Sequence, residues 1–89
     1  MNTLLERVLD TIRENSVSIK SIKDSVRRRS FIASLIYNVP VEDMENGALI
    51  LYLFNAVKRP AFIISTCHDE EIDDMNCILK YVEELMKEG

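Results

Sequence analysis

The side chains best suited to catalysis in this 89-residue chain are those of Cys67, His68 and Asp69, where a thiol, an imidazole and a carboxylate follow one another. Neighbours in sequence rarely converge on one substrate atom, as catalytic side chains must. The chain has a single histidine, and it contains neither a glycine-rich phosphate loop nor a nucleophile elbow. We therefore predict that the protein is not an enzyme, has no catalytic residues and uses no cofactor.

A metal site is a second possibility in this region, because Asp69, Asp73 and Cys77 would share one face of a helix. Zinc normally takes four ligands from a closer Cys and His pattern. Calcium normally binds a loop with alternating oxygen ligands and a glycine. Neither pattern occurs here, so we predict no metal ion, and we interpret the acidic residues as a helix start that the helix dipole stabilises.

The uneven distribution of charged residues along the chain favours binding to a partner over catalysis. Residues 1–40 contain seven Lys or Arg against four Asp or Glu, a net charge of +3, whereas residues 41–89 contain four against eleven, a net charge of −7. Such polarity can steer the encounter with a charged partner. We expect a protein partner to contact one or both charged clusters, which are Arg27, Arg28, Arg29, Glu70, Asp73 and Asp74.

Nucleic acid is the alternative partner, because the arginine cluster could bind phosphates. On a helix, three successive side chains point in three directions, so at most two arginines face one partner. The overall charge of −4 and the lack of a wider basic stripe argue against this function. A helix-turn-helix would use residues 18–26 and then a reading helix, 30–38, whose base-facing residues are Ser30, Ser34, Tyr37 and Asn38.

The N-terminal segment must position these charges, and its pattern allows two structures. Helix propensity falls at 15–18, which suggests a break, yet an apolar seven-residue register crosses this point and favours one helix over about residues 2–38. A helix of that length would be about 55 Å long and would need a partner surface. The register predicts a homodimer whose self-association seam is Leu5, Val8, Ile12, Ile19, Ile22 and Val26.

The remaining elements complete a predicted helical bundle. Pro40 ends the preceding helix and suits the first turn of the next one, which runs through the apolar residues 48–54. An alternative makes 48–66 a short hairpin, because periodicity cannot assign short apolar runs. The last helix is predicted from Ile72, Met75, Leu79, Val82 and Met86, with Glu83 pairing with Lys87 on its outer side.

Together these features predict one all-α domain over residues 1–89, a bundle of three to four helices, with α+β as the alternative class. The interrupted apolar start and the absence of a membrane-length apolar run predict a cytoplasmic protein with no membrane partner. Its two cysteines, Cys67 and Cys77, are expected to be reduced. The predicted function is a protein-binding regulator, inhibitor or adaptor, and a small DNA-binding transcriptional regulator is the alternative.

Overall fold

The computed structural model describes residues 3–59 and 75–88. Five α-helices form this part of the chain: α1 (Thr3–Glu14), α2 (Ser16–Ser21), α3 (Ser25–Tyr37), α4 (Met44–Val57) and α5 (Met75–Glu88). No strand occurs in these two stretches. The predicted all-α class and small helical bundle are confirmed, and the helix number exceeds three to four because the N-terminal segment is divided into three helices.

The first division lies at Asn15, where the sequence predicted a possible break. The Asn15 side-chain amide donates to the Thr11 carbonyl at 2.7 Å, and the Asn15 backbone N–H donates to the Ile12 carbonyl at 3.1 Å. An asparagine that hydrogen-bonds nearby backbone in this way competes with regular helix geometry. Asn15 has φ −105° and ψ 16°, and α2 begins at the next residue.

A second division, which the sequence analysis did not predict, separates α2 from α3 at residues 22–24. Ile22 has an extended backbone, with φ −85° and ψ 108°. Asp24 then starts α3, because its carboxylate accepts a hydrogen bond from the Arg27 backbone N–H at 2.9 Å. This contact is the usual helix N-cap, which satisfies a donor that has no partner within the helix. The single helix over about 2–38 is therefore wrong, and the longest dimension of the molecule is only 36 Å.

Helix α4 begins later than the sequence predicted. Pro40 was expected in its first turn, but α4 begins at Met44 with Asp43 as its N-cap. The Asp43 carboxylate accepts a hydrogen bond from the Asn46 backbone N–H at 2.8 Å. Residues 48–54 lie within α4, so the hairpin that was considered over 48–66 is wrong in its first half. Its second half, from residue 60 onward, lies outside the described residues. Leu51 and Tyr52 are 52% and 39% exposed, so this helix is not buried on all sides.

The core lies where α1, α3, α4 and α5 pack against one another. Helix α3 packs most extensively on α4, while α5 contacts both α1 and α4. The largest fully buried side chains come from five helices and are Val8, Ile12, Ile19, Ile36, Leu53, Val57, Val82 and Leu85. Within the described residues, no helix is both long enough and apolar enough to cross a membrane.

Candidate recognition surface

A groove of about 730 Å³ lies where α2 turns into α3. We call it the α2–α3 groove. Its lining residues are Ser21, Ile22, Lys23, Asp24, Val26, Arg27, Ser30, Phe31 and Ser34. The groove exists because of the second division of the N-terminal segment, since a continuous helix would present a convex surface at this point.

Two interactions hold the corner of this groove in place. The Asp24 carboxylate caps α3, as described above, and so it is already engaged by a backbone N–H. On the inner side, the Arg28 guanidinium donates to the Ile22 carbonyl at 2.8 Å. The last carbonyls of a helix lack partners within that helix, and a cation stabilises this negative end. A buried arginine therefore fixes the end of α2 against the start of α3.

The groove combines apolar side chains with unpaired cations. Val26 is 59% exposed, and Ile22 and Phe31 are partly exposed beside it. Lys23 and Arg27 are exposed, and neither side chain forms an ion pair within the described residues. Three serine hydroxyls, those of Ser21, Ser30 and Ser34, lie between these groups.

The exposed apolar surface extends beyond the groove along α2. Val17 is 83% exposed and lies one helical turn before Ser21, so the two side chains share a face of α2. An apolar surface bordered by charges is typical of a site that binds another macromolecule. The local charge is positive, although the whole chain has a net charge of −4.

The three arginines predicted to contact a partner do not lie on one surface. Arg27 is exposed, whereas Arg28 and Arg29 are only 5% and 8% exposed. The expectation that Arg28 and Arg29 lie at the surface is therefore wrong. For Arg28 the reason is the division at residues 22–24, which leaves the Ile22 carbonyl as an acceptor for its guanidinium.

Arg29 belongs to a polar cluster between α3, α4 and α5. The Tyr81 hydroxyl donates to the Ala56 carbonyl at 3.1 Å in a buried position. Burial raises the pKa of Tyr81 well above its ordinary value of 10.0, while the positive charge of Arg29 opposes this change and Tyr52 adds to it. The Arg29 Nε atom has no hydrogen-bond partner within the described part of the chain. Neither Arg29 nor Tyr81 lines the α2–α3 groove.

The predicted self-association seam is also divided between core and surface. Val8, Ile12 and Ile19 are 0% exposed, so they fill the core of a single chain and are not available to a second one. Leu5 packs partly against the same core. The seam prediction is wrong for Val8, Ile12 and Ile19, because these side chains fill the core of a single chain. Leu5 is partly buried, and Ile22 and Val26 reach the surface at the groove.

The acidic residues predicted to contact a partner, Glu70, Asp73 and Asp74, lie outside the described residues. The same holds for residues 67–69, which were examined for catalysis and metal binding. Within residues 3–59 and 75–88, no three His, Cys, Asp or Glu side chains are grouped to hold a metal ion. Cys77 is disulfide-bonded, contrary to the expected reduced thiols. Reduced thiols were expected from the predicted cytoplasmic location, where disulfides are rare.

A second charged surface lies at the start of α4. We call residues 41–45 the acidic segment: Val41, Glu42, Asp43, Met44 and Glu45. Its two apolar side chains are exposed, Val41 at 36% and Met44 at 90%. Glu42 and Glu45 are exposed and form no ion pair within the described residues. A depression of about 520 Å³, lined in part by Glu45, Leu49 and Tyr52, adjoins this segment.

Sequence reasoning missed both surfaces because it did not find the start of α3 or of α4. The signal was present, since Asp24 and Asp43 are each preferred N-cap residues that stand just before a helical segment. The fold and these surfaces define a small all-α helical bundle with an apolar and basic groove. Comparison of the chain with protein-family models, curated proteins and solved structures finds no match.

Proposed function

We propose that the protein acts by binding another protein, as a small regulator, inhibitor or adaptor, through the α2–α3 groove. The observation that supports this proposal best is the exposure of Val26, at 59%, in a concave surface beside two unpaired cations. Covering such an apolar surface releases water and stabilises a complex. The cations give the complex its orientation and speed the encounter.

The chemistry of the groove specifies a class of partner. The floor is apolar, so the partner should present a few apolar side chains on one face. Lys23 and Arg27 border the floor, and Asp24 is engaged in capping α3, so acidic residues should flank the partner's apolar face. An amphipathic helix with glutamate or aspartate at its edges has this character, and helices commonly bind in grooves in this way.

DNA binding is the second candidate, and one observation favours it. Helices α2 and α3 are joined by a three-residue turn, as in a helix-turn-helix, and α3 exposes Ser30, Ser34, Tyr37 and Asn38. However, the Ser34 hydroxyl donates to the Phe31 carbonyl, and the Asn38 amide donates to the Ser34 carbonyl. Two of these side chains are thus engaged with their own helix, and α2 has only six residues. Protein binding is therefore the better supported function.

Site-specific photo-crosslinking separates the two functions. A photoreactive amino acid replaces Ser30 inside the groove, and a matched control replaces Glu6, which is exposed on α1. In source lysate we expect the Ser30 position to give a discrete protein adduct that survives nuclease and is lost when Val26→Asp is added. Equal adducts from both positions, or no protein adduct at Ser30, would contradict the proposal. An adduct that nuclease removes would support DNA binding instead.

A further inference from the structure

The acidic segment has the chemistry that the α2–α3 groove requires. Met44 is 90% exposed and Val41 is 36% exposed, so the segment presents apolar side chains to solvent. Glu42 and Glu45 border them and are unpaired within the described residues. These are the features expected of the groove's partner, and they occur in the same chain.

Charge complementarity between the two surfaces is specific. The groove contains three charged side chains, of which the Asp24 carboxylate is engaged in capping α3. The acidic segment also contains three, of which the Asp43 carboxylate is engaged in capping α4. The two free cations of the groove, Lys23 and Arg27, are therefore matched in number and opposite in charge to the two free glutamates of the acidic segment.

We infer that the α2–α3 groove binds the acidic segment of a second copy of this chain. Each chain carries one groove and one acidic segment, so two chains can exchange both contacts about a twofold axis and form a closed dimer. This inference rests on the proposed function, because it names the occupant of the same groove. It retains a homodimer, but of the predicted seam residues only Ile22 and Val26 lie in the groove that it uses.

A dimer of this kind would also control the access of a target to the groove. The Met44 and Val41 side chains of one chain cover the apolar floor of the other, so a target with the same chemistry competes with the second copy. Target binding and self-association are then mutually exclusive, and the fraction of open grooves falls as the protein concentration rises. The free chain is stored as a dimer and acts as a monomer.

Charge reversal tests the contact without disturbing the core. One variant carries Lys23→Glu and Arg27→Glu, and a second carries Glu42→Lys and Glu45→Lys. Each places like charges opposite one another in a dimer, which weakens association. We expect each variant to raise the dimer dissociation constant by at least about tenfold and the mixture of the two variants to associate again. The control variant carries Glu6→Lys and Glu14→Lys, which make the same charge change on exposed α1 positions.

Sedimentation equilibrium of the full chain measures the result, with circular dichroism to confirm that each variant is folded. The inference is supported if the wild type and the α1 control dimerise, each reversal variant is monomeric and the mixture dimerises. A monomeric wild type overturns it, as does a dimer that the reversals leave unchanged. Neither outcome changes whether a photo-crosslinked adduct with a different protein forms. The crosslinking experiment therefore tests the proposed function independently of the dimer.

Discussion

Replacing Ile12 and Val26 by alanine tests the division of the N-terminal segment, because a continuous apolar seam would treat both residues alike. In the structure Ile12 is 0% exposed and Val26 is 59% exposed. Ile12→Ala removes three buried carbon groups, which at about 0.8 kcal/mol each lowers the free energy of unfolding by ~2.4 kcal/mol. The cavity that remains increases this loss, and such truncations cost about 2–5 kcal/mol in all.

Val26→Ala has a much smaller expected effect. It removes two carbon groups, worth ~1.6 kcal/mol if they were fully buried, and the exposure of Val26 reduces this contribution to less than half. Alanine also has a higher helix propensity than valine, by up to about 0.7 kcal/mol. The two effects nearly cancel, so the free energy of unfolding should change by less than about 0.5 kcal/mol.

Urea unfolding followed by circular dichroism measures both values, at concentrations low enough to keep the chain monomeric. The free energy of unfolding of both variants should fall with urea at the wild-type slope, so differences in the midpoint report differences in stability. In thermal unfolding, Ile12→Ala should lower the Tm by at least roughly 10 °C, since 1 kcal/mol corresponds to about 4–8 °C in a domain of this size. Equal losses for the two variants would refute the division of the segment into core and surface parts.

Three further substitutions and one pH dependence test α4 and its contact with α5. Asp43→Ala should lower the free energy of unfolding by about 1 kcal/mol, because it removes the N-cap of α4. Gly47→Ala should raise it by about 0.5–1 kcal/mol, because the new methyl would meet only the Val41 side chain, at an ordinary 3.9 Å. Tyr81→Phe should lower it by about 0.5–1.5 kcal/mol, because the buried hydrogen bond to the Ala56 carbonyl is lost, although this carbonyl still accepts from the Arg59 backbone N–H at 3.0 Å. Denaturant unfolding measures all three. In the wild type, the raised pKa of Tyr81 should make stability fall as the pH rises above about 10, because only the unfolded chain then ionises this tyrosine.

Matched variants control these measurements. Asp43→Asn keeps an acceptor for the Asn46 backbone N–H and should retain most of the stability. Ala48→Gly on the exposed side of α4 should show the opposite sign to Gly47→Ala. Tyr37→Phe, at an exposed tyrosine, should leave the loss of stability at high pH unchanged, whereas Tyr81→Phe should reduce it. An undiminished loss in Tyr81→Phe would show that another group causes it.

Helical periodicity predicted much of this fold. The stripe of the last helix is confirmed for Val82 and Met86, which are buried on α5; Met75 and Leu79 pack partly against the core, and Ile72 lies outside the described residues. The predicted outer pair is also present, with Lys87 Nζ 3.6 Å from the Glu83 carboxylate. These features depend on spacing within one helix, which the sequence specifies directly.

The groove could not be predicted by the same reasoning, because it depends on where helices stop. The apolar register passes from Ile19 through Ile22 to Val26 with the spacing of a regular helix. In the structure, however, the helix is interrupted between Ser21 and Ser25. Arg28 was misplaced for the same reason, since its buried position requires the free Ile22 carbonyl that the break creates. Tertiary contacts of this kind override weak local propensity.

An amide chemical-shift map of the isotope-labelled chain, titrated with a peptide, tests most directly whether the α2–α3 groove is the recognition surface. The peptide is a helix with one apolar face flanked by glutamates, and a control peptide has lysines in place of the glutamates. We predict that the glutamate peptide shifts amides concentrated in residues 21–34, and that the lysine peptide binds much more weakly. Shifts centred on α1 or α5, or equal binding of the two peptides, would contradict the assignment of this groove.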